Sequence, residues 1–267
     1  MIEALSFDFM QNALIAGILV SFISGVIGSL IVSNRMVFLV GGIAHAAYGG
    51  IGLAIFFALP MFFGTTLFAV LAALLMAFIT LRQREKIDVF IGLIWAVGMA
   101  VGIILVDLTP GYNVDLMSYL FGSILAVNRE DLLYMGALLG IILAVLFFWY
   151  HEILAVSYDG EYASIVGVNV PFFYTLILVL SALSVVVAIK VVGLILVIAL
   201  LTIPIYIAQN ITASLYGMML ASGLIASFFT LSGLWFSYHF DLTSGACIIL
   251  VSAAGLCLFM GIKRLAR

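Results

Sequence analysis

The 267-residue chain is 67% hydrophobic and only 8% charged, with a mean hydropathy of +1.41, which excludes an ordinary water-soluble domain, where about a quarter of residues are charged. Its net charge of -3 says little, and its nine cationic residues form no basic patch, which excludes nucleic acid as a partner. The length suffices for several bilayer crossings of about 20 residues each, with no room for an additional soluble domain.

Apolar runs of at least about 17 residues read as spans, and they fall at residues 10–32, 37–58, 64–81, 89–107, 131–150, 171–189, 193–209, 213–236 and 243–262. The expected fold is therefore all-α, a polytopic membrane helix bundle of about nine spans. The first run follows an acidic stretch and is too long for the apolar core of a signal peptide, so it is expected to be retained. Between the fourth and fifth spans, residues 115–127 (DLMSYLFGSILAV) are too short to cross and are expected to form a short re-entrant helix. Gly25 and Gly28, Gly41, Gly42, Gly49 and Gly50, and Gly98 and Gly102 recur at spacings that let helix backbones approach closely in lipid. Cys247 and Cys257 share one run, about 15 Å apart along a helix and beyond disulfide reach.

Cytoplasmic loops carry the excess of Lys and Arg. Nine spans with an outside N-terminus place Arg35, Arg82, Arg84, Lys86, Lys263, Arg264 and Arg267 on one side. The exceptions are Arg129 and Lys190; the latter ends a span and can snorkel to the interface. The same parity puts residues 157–168 in the cytoplasm and Asp107, Asp115 and Asp241 outside.

Residues 157–170 (SYDGEYASIVGVNV) form a polar island between two spans. Asp159 and Glu161 supply acceptors for the start of a short helix, and Gly167 can take the left-handed conformation that ends it. Asn169 and Pro171 restart the chain. The island is either a capped turn or a surface for a partner. Elsewhere, His45 is the one ionisable residue far from a span end; it stands at helical spacing from Gly41, Gly42, Gly49 and Gly52. It is either a packed histidine bonded to a neighbouring helix or a ligand on a translocation path, since imidazole suits divalent transition metals. His239 and Asp241 could share a metal at the outer end of the eighth span, although their spacing favours an ordinary interfacial histidine. No second histidine follows His151-Glu152 at metalloprotease spacing. No glycine precedes Lys86, Lys190 or Lys263, so the chain has no phosphate-binding loop and any ATP must be hydrolysed elsewhere.

Residues 191–204, VVGLILVIALLTIP, with Ala208 beyond, resemble the VVGxLLVxALLxxPxxxA signature of the zinc/manganese/iron permease family of ABC importers. Four further stretches agree in order. Residues 120–125 (LFGSIL) with Asp131-Leu132 resemble one family segment, and Asp88, Ile91-Gly92, Gly98 and Gly102 another. Tyr158-Asp159, Glu161, Ala163 and Gly167-Val168 are similar to its (F/Y)DxExAxxxGV loop, and Gly233-Leu234, Ser237-Tyr238 and Asp241-Leu242 through Ala246 to its GLxxSYxxDLxSGA close. The resemblance covers nearly the whole chain and implies one permease domain over residues 1–267, of the type II importer architecture, with residues 157–168 as a cytoplasmic coupling loop. It implies a homodimer in a prokaryotic inner or plasma membrane that docks two cytoplasmic ATPase subunits and receives a divalent metal from an extracytoplasmic binding protein. ATP then sits on the partner, this chain binds no cofactor, and the metal is cargo. Carried over residue by residue, Asp159, Glu161, Ala163 and Gly167 become the ATPase-facing positions. One departure is that the family reads GDAISHAVLPG where residues 41–50 read GGIAHAAYGG, so the pathway histidine is kept as His45 while Gly41 replaces the acid one turn before it. That leaves the metal open and admits a metal chelate as cargo. A carrier that works without an ATPase is the alternative from another class, because a short broken helix at residues 115–127 suits it as well.

Overall fold

Backbone polar groups find no water in hydrocarbon, so an apolar chain of this kind must satisfy them within helices. The computed structural model describes residues 7–83, 86–109, 121–194 and 197–265, with no β-strand among them. The helices are α1 (Asp8–Ser33), α2 (Val37–Phe56), α3 (Met61–Arg82), α4 (Ile87–Asp107), α5 (Arg129–Tyr158), α6 (Gly160–Ile165), α7 (Val170–Val192), α8 (Val197–Leu200), α9 (Ile203–Ile211), α10 (Leu215–Phe240) and α11 (Ser244–Leu265), with a 3-10 turn at Ile124–Ala126. Among the described residues, eight of these are long and apolar enough to cross a membrane. Buried hydroxyls do not break them, because Thr80, Ser181, Ser184 and Ser252 each donate to the carbonyl four residues earlier.

The chain divides into two units, one of residues 1–32, 116–145 and 187–267 and the other of residues 33–115 and 146–186. In the first, α1 runs antiparallel to α10 at backbone contact. A Cβ on Gly25 would lie 2.5 Å from the Gly223 nitrogen, and Ser222 donates across to the Gly25 carbonyl at 2.9 Å. Ser21 and Thr230 bridge the same pair at 3.0 Å. Small residues and hydroxyls thus replace the hydrophobic effect, which is absent between helices in lipid.

The seventh span differs from the expectation of one helix over residues 193–209. Gly193 at φ 87° stops α7, residues 195–196 lie outside the described residues, and a turn at Leu201-Thr202 separates α8 from α9. The physical reason is local: left-handed backbone suits glycine, while Pro204 in the first turn of α9 has no N–H to continue an earlier helix. The segment still passes from one end of this unit to the other. Its start follows Lys190, which ion-pairs with Asp131 near the beginning of α5, and its end carries Asn210, which accepts from Lys263 near the end of α11.

The short helix expected over residues 115–127 falls mostly outside the described residues; Phe121 is helical, and a 3-10 turn follows at Ile124–Ala126. Gly122, at φ 70°, packs on the backbone of Val192 and Gly193, and the Ser123 N–H donates to the Lys190 carbonyl at 3.3 Å. Gly122 and Ser123 therefore lie against the end of α7, joined to it by a backbone hydrogen bond.

Both cations that break the charge asymmetry have carboxylate partners in this unit. Arg129 lies 3.8 Å from Asp8 with both side chains 80% exposed, a pair worth little energetically. Lys190 pairs with Asp131, whose carboxylate also accepts the Asn128 N–H at 2.9 Å while the Asn128 side chain accepts the Asp131 N–H at 2.9 Å, a reciprocal cap on α5. Asp131 is nearly buried, so Lys190→Met should leave an unpaired buried carboxylate and cost about 1–3 kcal/mol. Thermal unfolding of the purified chain checks this. Lys190→Met with Asp131→Leu should melt above Lys190→Met alone, and equal stability of all three chains would sink the idea.

In the second unit α2 lies against α3 and α4 and is largely buried. Gly42 abuts Ile91, Gly49 the Gly98 carbonyl and Gly52 Gly102, so α2 and α4 run parallel in matched register. Gly49 and Gly50 also meet Phe68 and Gly64 of the antiparallel α3. At one end of this unit Asn34 donates to the Ser157 hydroxyl at 2.8 Å, which puts Arg35, Arg82 and Lys86 at the same end as α6. Within α5, Trp149 leaves helical geometry at φ -125° and ψ 27°.

Candidate functional site

The polar island folds locally as its sequence requires. Asp159 is extended and its carboxylate accepts the Tyr162 N–H at 2.9 Å, the N-cap of α6. Gly167 takes φ 88°, and the Val168 N–H closes back on the Ala163 carbonyl at 2.9 Å, the left-handed termination expected. Asn169 caps α7 by accepting the Phe172 N–H at 3.2 Å.

Ala163 does not face outward. Its methyl is 0% exposed within the chain itself, so it seats α6 on its own subunit and offers nothing to a partner. The surface of α6 is made instead by Tyr162, Ile165 and Val166, of which Ile165 is 82% exposed, with Asp159 and Glu161 exposed beside them. The motif positions hold the helix in shape, and the residues between them present an apolar knob. Sequence reasoning missed that knob because Ile165 and Val166 look like any apolar pair in a mostly apolar chain.

His45 sits near the middle of α2, half-buried. Its Nδ1 lies 2.9 Å from the Gly41 carbonyl, and a carbonyl only accepts, so Nδ1 carries a proton and, in the neutral ring, Nε2 carries the lone pair. Gly41 thus stands where the family acid would be and turns its backbone oxygen to the ring. Among the described residues nothing hydrogen-bonds Nε2. The glycine stripe around His45 is not open space: Gly42, Gly49 and Gly52 are filled by α3 and α4. The ring itself stacks on Trp95 of α4, with centroids 3.8 Å apart and planes 23° from parallel. Trp95 escaped the sequence reading, although its place one turn before Gly98 was the available signal.

His239 and Asp241 lie at the end of α10, in the other unit. His239 stacks along its own helix on Trp235, 5.4 Å between centroids, and Asp241 occupies the left-handed C-cap at φ 50°. Both are exposed. Their geometry is that of a helix end, and among the described residues no three His, Cys, Asp or Glu side chains gather as a metal site.

Three comparisons bear on what such a chain does. It is 45% identical, over 99% of its length and 94% of the relative's, to an uncharacterised membrane protein of Synechocystis sp.. It is 34% identical to the manganese transport system membrane protein MntC of Listeria monocytogenes, covering 93% of this chain and 88% of that one. Among solved structures it superposes on PsaBC from Streptococcus pneumoniae in complex with Fab with a TM-score of 0.87 at 32% identity, covering 97% of this chain and 93% of that one. The ABC 3 transport family matches residues 6–263, nearly the whole bundle, and the chain belongs to that family, the membrane permease subunits of metal-ion ABC importers.

Proposed function

We propose that this permease forms, with a second copy of itself, the path of an ATP-driven importer for a divalent transition metal, with manganese the first ion to test because a relative of 34% identity is described as part of a manganese transport system. The observation that carries this reading is His45, an imidazole in mid-span held by Nδ1 whose Nε2 has no hydrogen-bond partner among the described residues. One such ligand from each of two subunits makes a weak site that can release its ion, whereas a closed four-ligand cage would trap it. His239 and Asp241 are proposed as an outer, weaker contact on the same route. ATP is hydrolysed on two separate cytoplasmic subunits, which grip α6 through Tyr162, Ile165 and Val166, flanked by Asp159 and Glu161, with buried Ala163 seating the helix and Gly167 ending it. A binding protein outside the membrane delivers the ion.

The test is uptake of radiolabelled manganese into proteoliposomes that hold this chain with and without its ATPase. Accumulation should require ATP and the ATPase together. Accumulation driven by an ion gradient without the ATPase would establish a stand-alone carrier instead.

The orientation proposed is N-terminus outside and C-terminus cytoplasmic. Support comes from each unit by itself: Arg35, Arg82 and Lys86 share an end with α6, and Lys263 and Arg264 lie at the end away from Arg129 and Lys190. A phosphatase reporter fused after Arg267 should be inactive, since that enzyme folds only outside the cytoplasm. An active fusion would overturn the orientation.

A further inference from the structure

We infer that Trp95 is the positioning residue for the cargo contact at His45; this rests on the reading of His45 as a ligand. A metal approaches imidazole in the plane of the ring along the nitrogen lone pair, so a partner on the ring's face leaves that approach open while fixing rotation about the side chain's last torsion. Trp95 is such a partner, with its ring centroid 3.8 Å from that of His45 and a tilt of 23°. The indole is itself held, because its Nε1–H donates to the Met99 sulfur one turn along α4 at 3.2 Å. The Gly41 carbonyl completes the arrangement by taking Nδ1. His45 is thus fixed at two places and free at one, Nε2.

Simple packing accounts for this less well. Trp95 remains 38% exposed, so the stack buries only part of the indole. Contact between α2 and α4 is already set by the pairs Gly42 with Ile91, Gly49 with Gly98 and Gly52 with Gly102, and it does not need an aromatic pair in the same register. What the pair adds is orientation of one imidazole. Partners that orient a metal-binding histidine commonly change metal affinity by about 10- to 100-fold.

The experiment has two readouts on the full-length chain. In the first, manganese uptake is measured with the ATPase present. Trp95→Leu should raise the manganese concentration for half-maximal uptake about tenfold or more with the maximal rate less affected. Trp95→Phe, which keeps a stacking face, should remain within about threefold of the parent. In the second, Trp149→Phe and Trp235→Phe leave Trp95 as the single tryptophan of the three, and Mn2+, which is paramagnetic, is titrated in. Emission should be quenched saturably, unaffected by Mg2+, and no longer so after His45→Ala. Normal half-saturation in Trp95→Leu overturns the inference. Should that variant fail to accumulate in the membrane, lack of saturable quenching in the single-tryptophan chain overturns it instead. Normal uptake by His45→Ala would remove the cargo reading of His45 itself, a result separate from any outcome at Trp95.

Discussion

Ile165→Asp is expected to abolish coupling while leaving the permease in the membrane in normal amounts. Ile165 is 82% exposed on α6, a short helix between two spans, so the substitution disturbs no packing inside the chain. It would instead bury a carboxylate in the centre of the proposed ATPase contact, and truncation at such central apolar anchors commonly costs about 2 kcal/mol or more, roughly a 30-fold loss of affinity. Tyr162→Ala should behave alike, since a half-exposed tyrosine is a favoured anchor. Glu161→Lys, at the exposed rim, should weaken binding much less at physiological salt. Ala163→Phe should fail differently: its methyl has no exposure, so the larger ring would overpack the seat of α6 and lower the melting temperature of the permease itself. ATPase binding to the permease in nanodiscs, read with thermal unfolding of the permease alone, separates these cases. Wild-type affinity in Ile165→Asp would mean that α6 is a turn and no docking surface.

That ordering of effects could not be read from the motif. The sequence announces Asp159 and Gly167 through chemistry that acts on the nearest few residues, a cap and a left-handed stop, and each is found in that role. Whether Ala163 or Ile165 faces outward depends on what α6 rests against, which is a matter of tertiary packing. In a chain that is 67% hydrophobic the usual contrast between apolar inside and polar outside is lost. Most span boundaries were legible for the opposite reason, since bilayer thickness sets their length independently of tertiary contacts, although α5 runs eight residues past its expected end at 150, to Tyr158. The seventh span shows the limit. Hydropathy averages across Gly193 and Pro204, whereas the backbone responds to each of them and breaks into α8 and α9.

The glycines around His45 illustrate the same division. Their helical spacing was evident, but a glycine stripe is consistent with a cavity or with a neighbouring backbone, and nothing local distinguishes the two. Only the matching steps on α4, Ile91, Trp95, Gly98 and Gly102, decide for close packing, and they lie some fifty residues away in sequence. The consequence for function is specific. Helix contact fills the glycine side of α2, so in the proposed route cargo would meet His45 from the side of Nε2.

His45→Ala should therefore lower manganese uptake by about 100-fold or more, since the one mid-span ligand is lost from both copies at once and each lost metal–imidazole contact costs at least about tenfold. The amount of permease in the membrane should not fall. The imidazole is half-buried and its one hydrogen bond goes to a carbonyl of its own helix, four residues back, which keeps its ordinary helical partner when the ring is removed. The stack on Trp95 is lost, a contribution of about 0.5–1.5 kcal/mol, small beside the close contacts that hold α2 to α3 and α4. His45→Gln offers manganese a carbonyl oxygen, a donor type it accepts, but on a flexible stem with no ring for Trp95 to orient, and should rescue only in part. ATP hydrolysis by the bound ATPase should persist in both variants, since α6 is untouched. Uptake is measured at several manganese concentrations, with membrane content determined by immunoblot. Normal uptake by His45→Ala, or a loss that follows protein content in proportion, would assign this histidine to packing.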